Sequence, residues 1–446
     1  MTVIGTLFAA AFFSAMLLAL VRNPIFGLYA YVAVFYLHPP SRWWGEFLPD
    51  LRWSFTAATI TLIAIWIRLP APTKAEKSWI STWPAKLMIA FSAWFWLESL
   101  WALDEVQHHI EAILLTKYVL VYYMIFRLIN TPQKITSFLL VHVAGCLYLG
   151  YLGYTADSSG RLNGVGGPGI EDSSTLGMQL ATAVVIAGML AIRLRMWRQA
   201  VCAASITFSL NAIVLTQGRG AFLGMIAGGF MVFCLRPIVH RRLFIAYAAL
   251  GLVLFGYVAN HDFWARMDTV TSAAGNENEM EFSAMERVGM FEAQIEMAKL
   301  YPFGTGHRGS AFLSHTMLDP KFLSSSGGRS SHNVFMTVLV EQGIPGIIMF
   351  FGMIGWTAMT LFRLKKAFSG PLYAESAVLN AAIGGALTVV IVAGMFADFA
   401  HCEVQIWMFA LLARLSALAD VREERREKGT AYDNVPDGRA AATKIF

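Results

Sequence analysis

The residues best suited to chemistry in this chain are arginines set among glycines and one histidine ahead of an apolar helix. Arg219 lies in TQGRGAFLG, flanked by Gly218 and Gly220. A guanidinium is a planar fork that fits phosphate oxygens, and flanking glycines let other backbone come close. At a span end the same arginine also serves as an interfacial anchor. Arg161 stands in DSSGRLNGVGGPGIEDSS, where glycine N–H groups can approach an anion, although such loops are also simply flexible. His332 follows Ser330 and Ser331, either of which can cap the helix HNVFMTVLVEQ. In a first helical turn the positive end of the helix favours a neutral imidazole, which is a proton acceptor.

These groups cluster around one polar stretch, 261–346, in an otherwise apolar sequence. Its front part carries Asp262, Asp268, Glu277, Glu279, Glu281, Glu286, Glu292 and Glu296 against Arg266 and Arg287. From Met297 to His332 the balance reverses, with Lys299, Arg308, Lys321 and Arg329 opposing Asp319. An anionic ligand belongs with the basic half. MERVGMFEAQIEMAKLYPFGTG reads as an amphipathic helix with an apolar stripe of Val288, Phe291, Ile295 and Ala298, ended at Tyr301-Pro302, with Arg287 near its start. NENEME ahead of it reads as a solvated loop tip.

The elements that must position these residues are membrane helices. Of 446 residues 57% are hydrophobic and 14% charged, a polytopic membrane composition. Apolar runs fall at 3–21, 24–38, 54–67, 84–101, 113–129, 135–154, 175–192, 201–217, 221–235, 243–260, 344–362, 374–397 and 403–419, most of them long enough for a hydrocarbon core about 30 Å thick. The fold expected is an all-α bundle of about twelve transmembrane helices. Its parts are 1–260 (N-terminal spans), 261–343 (a large polar loop with short helices), 344–419 (C-terminal spans) and 420–446 (a tail). Lys and Arg concentrate in alternate loops, which puts the large loop outside the cytoplasm and the tail inside. Counting back gives thirteen crossings with Met1 outside, or twelve with Met1 inside.

The formal charge of +5 is accounted for by the inner loops and implies no nucleic acid. Four cysteines give neither a disulfide framework nor metal-ligand spacing. The first outer loop holds Trp43, Trp44 and Trp53, an interfacial belt. The second, LDEVQHHIEA, places His108 beside His109 and reads as a solvated connecting turn. Within the spans Glu98 and His142 are the chief ionisable exceptions.

In their order these motifs resemble the O-antigen ligase and O-antigen polymerase superfamily. SHNVFMTVLVEQGIPGIIMFFGMI is similar to its His-Asn…Glu-x-Gly-x-x-Gly signature, TQGRGAFLG to its arginine motif, MERVGMFEAQIEMAKLYPFGTG to its Arg…Pro-x-x-Gly-x-Gly segment, and GRLNGVGGPG to its first glycine-rich loop. That loop departs from the family's Asn-Pro-Asn continuation. NPIFGLYAYVAVFYLHPPSRWWG is also similar to ligase-like proteins of exosortase systems. The resemblance implies metal- and cofactor-independent, inverting glycan transfer from undecaprenyl diphosphate to lipid A-core, at the periplasmic face of a bacterial inner membrane. It implies His332 as general base and Arg219, Arg287 and Arg161 on the diphosphate; Arg266, Arg308, Arg329 and Glu341 are further candidates. The apolar bundle, in contact with membrane lipids, would offer a lateral groove for the polyprenyl chain and for the acyl chains of a lipid A-core acceptor. A polymerase or a protein O-oligosaccharyltransferase shares the donor, and the oligomeric state stays open. A transporter, the reading from another class, needs ionisable groups near the bilayer midplane, which these spans nearly lack.

Overall fold

The structure, a computed structural model, describes residues 2–70, 77–156, 161–235, isolated positions between 242 and 256, 277–323, 329, 332–397 and 402–427, without the side chains of 277–288, 371 and 422–427. Among the described residues there are fifteen α-helices and no strand. They are α1 (Val3–Val21), α2 (Ile25–Leu37), α3 (Trp53–Arg68), α4 (Trp83–Glu98), α5 (Glu105–Leu128), α6 (Pro132–Thr155), α7 (Ser173–Ala191), α8 (Trp197–Thr216) and α9 (Arg219–Leu235). The outer segment adds α10 (Glu277–Leu300), α11 (Gly309–Met317) and α12 (Val334–Glu341), followed by α13 (Gly343–Ala367), α14 (Ala374–Gly394) and α15 (Glu403–Glu427). Eight of these, α1, α5–α8 and α13–α15, are long and apolar enough to cross a membrane; α3 and α9 are apolar but shorter.

Contacts sort the connections into two ends. At one, Thr2 Oγ1 donates to Trp44 O (3.1 Å), Arg42 to Val165 O (2.8 Å) and Leu103 N to Thr305 O (3.0 Å). At the other, Asp420 pairs with Lys77 (2.7 Å) and Arg363 (2.6 Å), and Gln133 donates to Glu375 (3.2 Å). These are the two loop sets that Lys/Arg content separates. Thr2 lies at the first of these ends.

The core centres on α7 and α14, whose side chains are buried around most of their circumference. Close approach of α9 to α14 needs glycine. A Cβ at Gly224 would lie 2.8 Å from Val389 O, one at Gly228 2.8 Å from Gly385 O, and one at Gly220 3.1 Å from Ala393 O. Gly220, Gly224 and Gly228 recur every four residues, so one face of α9 is a groove that receives α14. Gly220 therefore packs a helix in addition to flanking Arg219.

One polar cluster inside the bundle is mutually satisfied. His142 is fully buried, facing Tyr36 Oη at Nδ1 (2.5 Å) and Thr182 Oγ1 at Nε2 (3.2 Å), while Gln179 donates to Tyr36 Oη (2.7 Å). The first-loop tryptophans divide: Trp44 and Trp53 are buried against Phe8, and only Trp43 is exposed. The belt reading therefore holds for Trp43 alone.

The outer segment has a small apolar core of its own: Met290, Ala293 and Met297 of α10, Leu313 of α11, Leu318, Phe322, and Val340 of α12. The buried stripe of α10 is Met290, Ala293 and Met297; of the expected stripe Ala298 packs against it, Phe291 is 49% exposed, and the side chain of Val288 lies outside the described residues. α10 also begins at Glu277, so the acidic run is helical from there and Arg287 lies mid-helix.

Candidate functional site

Arg161 and Arg219 are brought to one place by backbone. Leu162 N donates to Leu215 O (3.1 Å) and Arg161 Nε to Thr216 O (3.0 Å), which fastens the glycine-rich loop to the α8–α9 turn. Arg161 also reaches Ser174 Oγ at 3.5 Å. The turn passes through Gln217, in a left-handed conformation at φ 50°, and Gly218 before Arg219 opens α9. The loop is closed on itself, since Gly164 N donates to Glu171 O (2.8 Å) and Ser173 N to Asn163 Oδ1 (2.9 Å). Gly164 and Gly169 have φ of 71° and 84°, and a Cβ on either would meet nothing within 4 Å. The loop thus presents open backbone next to Arg161 and is bonded to the turn that leads into Arg219, a suitable surface for an anion.

His332 stands elsewhere in its helix than the Ser-Ser pair suggested. The N-cap of α12 is Asn333, whose Oδ1 accepts from Phe335 N (3.0 Å) and Met336 N (3.3 Å). His332 precedes this cap, exposed and left-handed at φ 51°, instead of occupying the first turn. An Asx side chain forms this cap readily, and the preceding residue must then turn the chain into the helix. Phe335 packs on Phe350 (5.7 Å) and Phe351 (5.6 Å), seven and eight residues into α13. α12 therefore folds back along α13, with His332 beside the flank of α13 and Glu341 at its top.

Three of the further candidates gather around α11. Arg308 precedes it, exposed and left-handed at φ 61°. Arg329 N donates to Ser314 Oγ (2.8 Å) and its guanidinium to Phe322 O (3.1 Å), which ties down the chain just before His332. Glu341, 4% exposed, accepts from Ser310 Oγ (2.8 Å) at Oε1. Its Oε2 lies 3.4 Å from His307 Nδ1, an ion-pair distance without hydrogen-bond alignment. Arg287 is on α10 with its side chain outside the described residues, and Arg266 is outside them altogether. Among the described residues no three His, Cys, Asp or Glu side chains form a metal-holding group.

The turn 302–306 and the α12–α13 junction interlock through glycine. Gly304 (φ 89°) would put a Cβ 2.5 Å from Glu341 O, and Gly343 (φ 66°) would put one 2.4 Å from Gly304 N. Thr305 N donates to Val340 O and Glu341 O (both 3.1 Å), Gly306 N to Glu341 O (2.9 Å) and Ile344 N to Pro302 O (2.9 Å). The second outer loop, expected as a solvated turn, is the start of α5 and seats this joint. His108 is buried, accepts from His307 N at Nδ1 (2.9 Å) and donates from Nε2 to Phe95 O (2.8 Å), whereas His109 is exposed. Adjacent histidines on a helix do face different ways, and one of them reaches into the fold. His307, Ser310 and His108 drew no assignment from sequence because their partners are 31 to 199 residues away.

His307 titrates in this setting. Burial pushes its imidazole down, but the ion pair with Glu341 outweighs burial and, with Glu111, holds it above the ordinary histidine value despite Arg308.

The multi-pass helical architecture is that of a polytopic membrane protein, with the candidate cationic groups and histidines on its connecting segments. Residues 204–351 match the family model described as O-antigen ligase, which supports the superfamily resemblance carried by the motifs. The matched region contains Arg219, Arg266, Arg287, Arg308, Arg329, His332 and Glu341, and Arg161 precedes it. No curated protein matches the chain.

Proposed function

We propose that the protein transfers a glycan from undecaprenyl diphosphate to lipid A-core at the periplasmic face of a bacterial inner membrane, without a metal ion. The observation that carries this reading is the family match, which spans both Arg219 and His332. Arg161 and Arg219, beside the open glycine backbone, bind the diphosphate, and Arg287 joins them from α10. His332 accepts the proton of the attacking sugar hydroxyl, a general-base role. The hydroxyl attacks the anomeric carbon on the face opposite the diphosphate, which leaves with inversion. The arginines stabilise the charge growing on the leaving diphosphate, as electrostatic stabilisation of a developing anion requires. The polyprenyl chain lies in a lateral groove of the bundle.

Purified protein given undecaprenyl-diphosphate-linked O-antigen and lipid A-core in detergent with EDTA should form ligated product. Lengthening of the donor, or transfer to a protein, would move the acceptor to that of a polymerase or an O-oligosaccharyltransferase. No transfer to any acceptor would overturn the reading.

A further inference from the structure

The turn 301–308 joins α10, which carries Arg287, to the region that carries His332, and its polar contacts converge on one carboxylate. Glu341 accepts Ser310 Oγ at 2.8 Å on one oxygen and faces His307 Nδ1 at 3.4 Å with the other, while its carbonyl takes the N–H groups of Thr305 and Gly306. His307 in turn is seated on α5 through His108 (2.9 Å), and Trp94 and Trp101 of the α4 region donate to Gln342 O (2.9 Å) and Gly304 O (3.2 Å). Glu341 ends α12, an eight-residue helix, and His332 lies just ahead of its start. At about 1.5 Å per residue the two are on the order of 12 Å apart, too far for a shared proton. The carboxylate is also only 4% exposed and engaged on both oxygens, so it does not face a substrate.

We propose that Glu341, acting through His307 and Ser310, is a positioning residue that sets the angle between the helix carrying Arg287 and the helix that His332 precedes. The inference rests on the transfer reading above and adds a residue that acts on the reaction without touching it. Its charge partners are His307 and, facing His307 from the other elements, His108 and Glu111 of α5 and Arg308 of the turn; Glu98 of α4 faces the adjacent Gly304. The His307–Glu341 pair is complete while His307 is protonated. It weakens as pH rises above the ordinary histidine range and through the raised value of the folded protein.

The test compares wild type with Glu341→Gln, Glu341→Ala, Ser310→Ala and His307→Gln in steady-state transfer over pH. Glu341→Gln keeps an acceptor for Ser310 but loses the charge. It should lower kcat about tenfold or more while donor KM stays within about threefold. His307→Gln should lower kcat near neutrality and remove an alkaline limb that wild type shows. Raised KM at unchanged kcat, or wild-type pH profiles in both charge variants, would overturn the assignment. Hydrogen exchange of the 301–310 and 334–342 segments decides the clamp without activity. Protection factors, taken relative to base-catalysed intrinsic exchange, should fall with pH in wild type and be already low and pH-independent in His307→Gln. Equal exchange in the two proteins overturns the clamp even if transfer occurs, whereas absent transfer with the expected exchange overturns the transfer reading and leaves the clamp.

Discussion

The arginine region and the histidine region are held by different forces. Arg161 and Arg219 hang from backbone: one loop bonded to one turn, on a helix seated by glycines against α14. His332 depends on a helix whose far end is fixed by side chains, two of them titratable, and by a satellite core of seven residues separate from the main one. The proposed diphosphate site, built on backbone, should keep its geometry as pH changes. A histidine positioned through an imidazole and a carboxylate does not, so the two halves should respond differently to pH, to packing changes and to substitution.

The largest expected effect is at the interlocked glycines of the histidine region. Gly343→Ala places a Cβ into Gly304 N in a left-handed conformation, which should cost about 2–5 kcal/mol and disorder α12 and the turn together. Thermal unfolding and hydrogen exchange of the outer segment would check this. Met297→Ala, which hollows the satellite core, should cost about 2–5 kcal/mol and act on the outer segment first. In the arginine region Gly228→Ala should cost about 1–3 kcal/mol and separate α9 from α14, so that donor binding suffers before the outer segment loosens. Asn333→Ala removes the cap of α12 and should cost about 1 kcal/mol, with a loss of transfer rate and little change in donor KM.

A smaller effect sharpens the contrast. His307 has a raised value in the folded protein, so its contribution to stability is fully present below the unfolded value, about 6.5, and is lost as pH rises through the folded one. Unfolding of wild type should therefore show a stability loss in that alkaline window that His307→Gln lacks. Arg161→Ala, which leaves that pair intact and breaks a bond to a backbone carbonyl, should keep the wild-type alkaline loss, with its own cost unchanged across the window.

Much of this was readable in the sequence, and the unread parts share a cause. Apolar run length located the eight helices that are long and apolar enough to cross a membrane, and alternation of Lys and Arg separated the loops into the two sets that the structure groups at two ends. The glycine-rich loop and TQGRG could be marked as neighbours in kind, yet their contact rests on Arg161 reaching Thr216, 55 residues away. Local rules failed where two neighbours competed for one role: Ser331 and Asn333 both cap helices, and Asn333 takes α12. The α10 stripe was misplaced because Val288, Phe291 and Ile295 match the helical period as well as Met290, Ala293 and Met297 do. Only the position of Phe322 and Val340 decides between them. His108 could not be recognised as a buried bridge, since its partner His307 is 199 residues on.

The measurement that tests the central claim most directly is single-turnover transfer, with EDTA, by folded His332→Ala and Arg219→Ala proteins beside wild type. The account predicts that both lose transfer by about a hundred-fold or more, and that only Arg219→Ala also loses affinity for the lipid-linked diphosphate. Near-normal turnover in His332→Ala, or equal loss of donor affinity in both, would contradict it.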